Sequence, residues 1–148
     1  MERITSFSGK NRFLSNFYSC TFIYRGVTWQ SSEHAYQAAK TDDPTQKRVI
    51  RLAQTPGMAK RLGKNITLTE NWDELEILVM YNILQEKFGQ NIQLRRMLIH
   101  TGDKKLIEGN NWHDNFWGDC RCDKCKDIRG KNILGRLLMR VRRELNDG

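Results

Sequence analysis

The chain changes its periodicity within one stretch, Trp29-Gln30-Ser31-Ser32-Glu33-His34-Ala35-Tyr36-Gln37-Ala38-Ala39-Lys40. Before it, short aromatic and β-branched runs surround the turn Arg25-Gly26, a pattern that predicts a β-hairpin or two short strands. Within it, Ser31 or Ser32 can cap a helix whose first turn holds Glu33. The stretch therefore predicts the passage from a small β element to a helical protein.

Further helices are predicted from proline, glycine and capping residues downstream of this stretch. These signals place helix starts at Pro44, Met58, Thr69 or Asn71, Ile92 and Asn132. We expect Gly89 to end the longest helix, and the last helix carries an apolar stripe opposite its arginines. No internal repeat or long linker interrupts the sequence. We predict a mainly α, single domain over residues 1–148, with a small β-hairpin near the N-terminus.

Length and charge set limits on the class of protein. A chain of 148 residues can bury roughly two thirds of its unfolded surface, so folding requires neither metal nor disulfides. No apolar run reaches the length of a membrane span and the N-terminus lacks the order of a signal peptide, so we expect a cytoplasmic protein with no membrane partner. The net charge of +8 favours nucleic acid or phosphorylated small molecules as partners. The alternative interpretation is that this charge only keeps the protein soluble.

Three of the four cysteines, Cys120, Cys122 and Cys125, fall within six residues. In a cytosolic chain such a cluster indicates metal binding or redox chemistry before a disulfide framework. A structural zinc site needs four ligands, so Cys20, His113 or a neighbouring chain would have to complete it. The alternative is an exposed loop of free thiols. We therefore predict no required cofactor and leave a structural zinc site open.

One predicted helical face carries Glu33, Gln37 and Lys40, which are spaced i, i+4 and i+7. They would form a row roughly 10 Å long, which lines a pocket or is a solvated face. Lys40 is then either a solvated ammonium or, in a partly desolvated pocket, an amine nucleophile toward carbonyl carbon.

A second candidate segment runs from Trp117 to the start of the last helix. Asp119 beside Gly118 suits acid–base chemistry or binding of ribose hydroxyls, but Gly-Asp is also prone to form turns. Trp117 in a polar loop is a candidate platform for base stacking, whereas Trp72 at helical spacing is most simply a core residue. Asn132 can cap the last helix and offer a place for a phosphate.

Taken together, five segments in this order resemble the NADAR superfamily, also called the YbiA-like family. They are Leu14-Ser15-Asn16-Phe17-Tyr18, the stretch 29–40, Asn71-Trp72, Phe116-Trp117-Gly118-Asp119, and Gly130-Lys131-Asn132-Ile133-Leu134-Gly135-Arg136-Leu137-Leu138-Met139. The resemblance covers almost the whole chain. It implies an α-rich fold and an N-glycosidase that acts on one of two substrates, ADP-ribose attached to guanine in nucleic acid or phosphoribosylamino-pyrimidine intermediates of riboflavin synthesis. We expect the first of these.

The resemblance also implies roles for individual residues. Lys40 would be a nucleophile that forms a Schiff base with the opened ribose, and Glu33 and Asp119 would transfer protons or bind ribose. The substrate-binding residues implied are Asn16, Phe17, Trp29, Gln37, Trp72, Trp117, Gly118 and Asn132. In the alternative mechanism a carboxylate activates water for direct hydrolysis, and Lys40 only binds phosphate.

A different class of function also fits the charge and the cysteines. A non-enzymatic nucleic-acid-binding module would use zinc at the cysteine cluster and the arginines of the last helix to bind phosphates. This hypothesis gives no role to Glu33, Lys40 or the loop at Asp119.

Overall fold

The computed structural model describes residues 2–148, which divide into two compact units. The first unit is made of the chain up to Ser15 together with Gln93–Gly148, and the second is Asn16–Ile92. The α-helices of the described chain are α1 (Ser32–Ala39), α2 (Pro44–Arg51), α3 (Pro56–Leu62), α4 (Trp72–Gln90), α5 (Ile92–His100) and α6 (Ile133–Asp147). The strands are β1 (Arg3–Ile4), β2 (Phe22–Tyr24), β3 (Val27–Trp29), β4 (Lys105–Leu106), β5 (Gly109–Asn110) and β6 (Asp119–Cys120), and a 3-10 helix spans Gly9–Leu14. The predicted mainly α fold with a small β element is confirmed.

The second unit is built around α1, which packs against α2, α3 and α4. All eight residues of α1 are buried, and its alanines let three helices approach closely. Of the two predicted caps, Ser31 is the one that the structure shows, because its Oγ accepts a hydrogen bond from the His34 N–H at 3.1 Å. The unit therefore fixes every side chain of α1 by packing.

The predicted hairpin is formed by β2 and β3, which pair antiparallel. Both turn residues have positive φ, 53° at Arg25 and 75° at Gly26, as a two-residue turn matched to the strand twist requires. Helix α4 packs against β2 and so joins the hairpin to the helices of this unit.

In the first unit, β1 pairs with β4 and β5 pairs with β6, each pair parallel. The amphipathic helix α6 packs against β4 and buries Leu134 and Leu138. A Cβ at Gly135 would collide with the Leu106 carbonyl oxygen, so this close approach of helix and strand requires glycine.

Three details differ from the sequence-based expectations. Helix α4 passes through Gly89 to Gln90 and ends where Asn91 turns extended and its Nδ2 donates to the Lys87 carbonyl at 2.8 Å. The third helix begins at Pro56, two residues before Met58, because proline is favoured in the first turn. Asn132 stands at the N-cap of α6, but its side chain makes no capping bond.

Among the helices of residues 2–148, none has the length and apolar character needed to cross a lipid bilayer. The expected cytoplasmic location stays a prediction, as does the single-domain organisation.

Candidate active site

The row Glu33, Gln37 and Lys40 on α1 is not a solvated face. Glu33 is 7% exposed and Gln37 is 4% exposed, and the Gln37 Nε2 donates to the Glu33 Oε2 at 2.6 Å. Lys40 follows at the C-terminal end of the helix and is half-buried. The structure therefore joins a carboxylate, an amide and an amine in one buried row.

The amide of Gln37 is held in place by a glycine from another helix. At Gly63, which ends α3, a Cβ would lie 2.7 Å from the Gln37 Cδ, so only glycine leaves room for this side chain. Within residues 2–148, the buried Gln37 Oε1 has no hydrogen-bond partner. A buried acceptor of this kind is costly unless it serves another purpose, such as binding a ligand donor.

The environment of Lys40 lowers the pKa of its amine. Burial lowers the pKa of Lys40, and the positive charge of Lys60 lowers it further, while the carboxylates of Glu33 and Glu76 oppose this shift. The Lys40 Nζ also lies 5.3 Å from the centroid of the Tyr36 ring. Because the net shift is downward, more of this amine is unprotonated near neutral pH than for an ordinary lysine.

Helix α4 contributes Trp72 and Glu76 to the surroundings of Lys40. Trp72 is buried, with its ring centroid 5.6 Å from that of Tyr36. The Tyr36 hydroxyl donates a hydrogen bond to Glu76. Burial raises the pKa of Glu76, as does the nearby Asp73, whereas Lys40 and the Tyr36 hydrogen bond lower it. This carboxyl group thus holds a proton more readily than an exposed glutamate.

Glu76 and Tyr36 were not among the site residues predicted from the sequence. A signal existed, because Glu76 follows Trp72 by four residues and so shares its helical face. Tyr36 lies four residues before Lys40 on α1 and is likewise its neighbour.

Asn16 is joined to the start of α1. Its backbone carbonyl accepts hydrogen bonds from the Glu33 N–H at 3.0 Å and the Ser32 hydroxyl at 3.4 Å. Its Nδ2 donates to the Met80 Sδ at 3.6 Å, and its buried Oδ1 has no partner among residues 2–148. The neighbouring Phe17 is 44% exposed, with the Lys60 Nζ 5.9 Å from its ring centroid.

Trp29 is placed differently from the residues around Lys40. It is buried at the end of β3, and its indole N–H donates to the Tyr24 carbonyl at 3.1 Å. This hydrogen bond joins two residues of the hairpin, and the substrate-binding role of Trp29 stays a prediction.

The remaining predicted site residues lie in the first unit. The Asp119 Oδ1 accepts a hydrogen bond from the Gly130 N–H at 2.9 Å. A Cβ at Gly118 would lie 2.7 Å from the Asn110 Nδ2, so this loop requires glycine. Trp117 packs edge-on against Phe116, with ring centroids 4.9 Å apart. The structure thus brings Trp117, Gly118 and Asp119 into one tightly bonded segment, whose functional roles stay predictions.

The Asn132 side chain has a structural task in the same unit. Its Oδ1 accepts from the Glu108 N–H at 3.0 Å, and its Nδ2 donates to the Leu106 carbonyl at 2.9 Å. A cleft of about 290 Å³ opens beside it at the start of α6. Four cationic side chains line this cleft: Lys105, Arg129, Lys131 and Arg136. Their charge and the helix N-terminus favour an anionic group there.

The three clustered cysteines come together with His113. The ligand atoms of His113, Cys120, Cys122 and Cys125 all lie within 4.8 Å of one another. His113 is thus the candidate fourth ligand that the structure brings to the cysteine cluster. Metal binding by this group stays a prediction.

Comparisons with known proteins agree with the fold and the motifs. The NADAR domain family matches residues 6–146. The chain is 40% identical over 137 residues to a riboflavin biosynthesis protein of Vibrio vulnificus, which covers 91% of this chain and 36% of that protein. It is 38% identical over 133 residues to the N-glycosidase YbiA of Escherichia coli strain K12, which covers 88% of this chain and 79% of that protein.

A solved structure is similar as well. The NMR structure of the Escherichia coli protein YbiA matches with a TM-score of 0.84 and 34% identity, covering 99% of this chain and 88% of that chain. The chain thus spans about a third of the Vibrio protein and most of the length of YbiA. Because the family match extends over nearly all of the sequence and includes the stretch that forms the buried row on α1, the chain belongs to the NADAR family.

Proposed function

We propose that this protein is an N-glycosidase that hydrolyses the bond between the anomeric carbon of a ribose and an amine nitrogen. The observation that carries this proposal is the half-buried Lys40, whose pKa is lowered by burial and which neighbours Glu33 and Glu76. Related proteins named N-glycosidases, from Escherichia coli and Nostoc punctiforme, support the reaction class.

The chemistry begins with the substrate itself. An N-linked ribose opens to an imine, and the neutral Lys40 amine adds to its C1 carbon. The C1–N bond to the substrate amine then breaks as that nitrogen takes a proton, which leaves a Schiff base between C1 and the Lys40 Nζ. Water adds to this Schiff base, the C1–Nζ bond breaks, and the free sugar and the amine are restored.

Two carboxyl groups near Lys40 can move the protons that these steps need. Glu76, whose pKa is raised by burial, suits donation to the departing nitrogen. Glu33, held by the Gln37 amide at 2.6 Å, suits removal of a proton from Lys40 or from water. A proton-transfer role for Asp119 stays a prediction that rests on the resemblance to the family alone.

Two buried oxygen atoms that accept no hydrogen bond within residues 2–148 are the candidates for binding the ribose. The Asn16 Oδ1 and the Gln37 Oε1, both buried, would accept hydrogen bonds from ribose hydroxyls. Phe17, which is 44% exposed, would stack on a base, and Trp72 would form an apolar wall beside Tyr36.

For the substrate we propose ADP-ribose attached to guanine in nucleic acid. The net charge of +8 and the cationic cleft at α6 support a polyanionic substrate. The second candidate is a phosphoribosylamino-pyrimidine intermediate, favoured by the similarity to riboflavin biosynthesis proteins of Vibrio vulnificus and Zea mays. Both substrates offer Lys40 the same C1–N bond.

The test is mass-spectrometric detection of the released sugar from each substrate in turn. An oligonucleotide ADP-ribosylated on guanine and a phosphoribosylamino-pyrimidine are incubated with the wild type, with Lys40→Ala, and with Lys64→Ala. Lys64 is an exposed lysine and serves as the matched control. We expect release by the wild type and Lys64→Ala but not by Lys40→Ala.

The outcome also separates the alternatives. Release only from the pyrimidine would move the substrate assignment to the riboflavin intermediate. Release from neither substrate, with salt-dependent binding to unmodified DNA, would refute the enzyme and favour the non-enzymatic nucleic-acid-binding module.

A further inference from the structure

Four metal-ligating side chains converge in the first unit, outside the row on α1. The His113 Nδ1 lies 3.3 Å from the Cys122 Sγ and 3.4 Å from the Cys125 Sγ. The Cys120 Sγ completes the group, whose ligand atoms all lie within 4.8 Å of one another. All these cysteines are free thiols, so no disulfide in the described chain accounts for their proximity.

The spacing of these atoms suits a tetrahedral zinc ion. With Zn–S bonds of about 2.3 Å and Zn–N bonds of about 2.0 Å, a regular tetrahedron has N···S edges of about 3.5 Å and S···S edges of about 3.8 Å. The two N···S distances, 3.3 and 3.4 Å, are close to this edge. With all four ligand atoms within 4.8 Å of one another, the group can close around one ion through adjustments of about 1 Å or less relative to these ideal edges.

The type of ligand selects the metal. Three thiolates and an imidazole are soft and intermediate ligands, which favour zinc over magnesium or calcium. Four protein ligands fill a tetrahedral site, as in structural zinc centres, and leave no position for a substrate. Three thiolates also exceed the ion's charge by one, and residues 121–126 carry Arg121, Lys124 and Lys126 against the single carboxylate of Asp123, a positive balance that offsets that excess.

Backbone hydrogen bonds hold the ligands in this arrangement. The His113 N–H donates to the Cys120 Sγ at 3.3 Å, a contact that stabilises thiolate charge. The Cys120 N–H donates to the Asn115 Oδ1 at 2.9 Å, and the Cys125 N–H donates to the Cys122 carbonyl at 3.0 Å. The ligand set is thus supported by bonds of its own backbone.

We propose that His113, Cys120, Cys122 and Cys125 bind one zinc ion with a structural role. His113 follows β5, Cys120 belongs to β6, and the other two cysteines follow β6. The ion therefore ties the loop 111–118, which carries Trp117 and Gly118, to β6 and to the cysteine loop that follows it. This proposal is independent of the proposed glycosidase activity.

The first experiment measures metal content by elemental mass spectrometry on full-length protein purified without a polyhistidine tag. Wild type is compared with His113→Ala and Cys122→Ser, and with Cys20→Ser as the matched control because Cys20 belongs to the other unit. We expect one zinc ion per chain in wild type and Cys20→Ser. Outer-sphere partners alone change metal affinity about 10–100-fold, so loss of a ligand should weaken zinc binding at least about tenfold.

A second measurement keeps the test decisive if the ligand variants fail to fold. Wild type stripped of metal is titrated with Co²⁺, and we expect an intense visible spectrum of tetrahedral thiolate coordination that added Zn²⁺ abolishes. The proposal would be overturned if wild type is purified without zinc and gives no such spectrum with Co²⁺. It would also be overturned if Cys20→Ser loses as much metal as His113→Ala and Cys122→Ser. Lys40→Ala should retain zinc, which separates this result from any failure of the enzymatic proposal.

Discussion

Lys87 on α4 is fully buried. We expect this burial to make the unfolding free energy of the protein depend on pH. Its Nζ lies 5.0 Å from the Phe88 ring centroid and 5.8 Å from that of Tyr18. Burial lowers the pKa of Lys87 from 10.5 to about 8, and the charge interaction with Cys20 opposes this only in part. Such a shift corresponds to a cost of about 3 kcal/mol for holding the ammonium in the folded protein. We expect Lys87→Met to remove this cost.

The sign of the pH dependence follows from proton binding. Between pH 8 and 10.5 the unfolded chain keeps the Lys87 proton and the folded chain loses it. The unfolding free energy of the wild type should therefore rise with pH across this window. Below it both states are protonated and the full cost applies. The unfolding free energy of Lys87→Met relative to the wild type should thus be about 3 kcal/mol higher at pH 7 than above pH 10.5.

The assay is urea denaturation across this pH range, with wild type and Lys87→Met compared in a Cys20→Ser background. The background is needed because the Cys20 thiol interacts electrostatically with Lys87: burial raises the pKa of Cys20, and the charge of Lys87 lowers it. Replacement of a buried ion pair by apolar residues is often neutral or stabilising by about 1–4 kcal/mol, which is the same order as the effect expected here. A difference between the two proteins that stays constant with pH would refute this reasoning.

Three further predictions concern the site and the fold. Glu76→Gln removes a carboxylate that raises the pKa of Lys40, so the rising limb of kcat/KM against pH should move to lower pH. Gly63→Ala places a Cβ 2.7 Å from the Gln37 Cδ, and displacement of this buried amide should reduce kcat roughly 10–100-fold and lower stability by about 1–3 kcal/mol through overpacking. Asn132→Gly keeps the positive φ of 52° but loses both side-chain hydrogen bonds, and urea denaturation should show a loss of about 2–4 kcal/mol.

Matched variants separate these effects from unspecific damage. A Cβ at Gly57 would lie 3.8 Å from the Thr55 Oγ1, an ordinary contact, so Gly57→Ala should leave kcat unchanged. Asn71→Gly also keeps a positive φ, but the Asn71 side chain makes no capping bond, so stability should hardly change. A pH limb that moves upward in Glu76→Gln, or equal losses in a variant and its control, would contradict the corresponding prediction.

Local chemistry was enough to predict much of the fold. The cap at Ser31, the turn at Arg25-Gly26 and the helix start at Pro44 depend on neighbouring residues alone, and all were confirmed. Gly89 did not end α4 because helical backbone tolerates one glycine when the following residues supply the end. Local rules therefore fail where a signal competes with the structure around it.

The surroundings of Lys40 could be predicted only in part. Glu33, Gln37 and Lys40 share one helix, so their spacing alone places them in a row. Glu76 comes from α4, and its hydrogen bond with Tyr36 depends on how two helices pack. His113 was one of several ligands that could complete the cysteine cluster, and only the folded loop brings its Nδ1 to the thiols. Contacts between elements were thus beyond the sequence pattern.

The central claim is that Lys40 forms a covalent bond to the sugar. The most direct test is to add borohydride during turnover and to map the reduced adduct by peptide mass spectrometry in wild type, Lys40→Ala and Lys64→Ala. We predict a sugar adduct on Lys40 in wild type and in Lys64→Ala, and neither adduct nor release in Lys40→Ala. Undiminished release by a folded Lys40→Ala protein, with no adduct on the wild type, would contradict the Schiff-base mechanism and favour direct hydrolysis through a carboxylate-activated water.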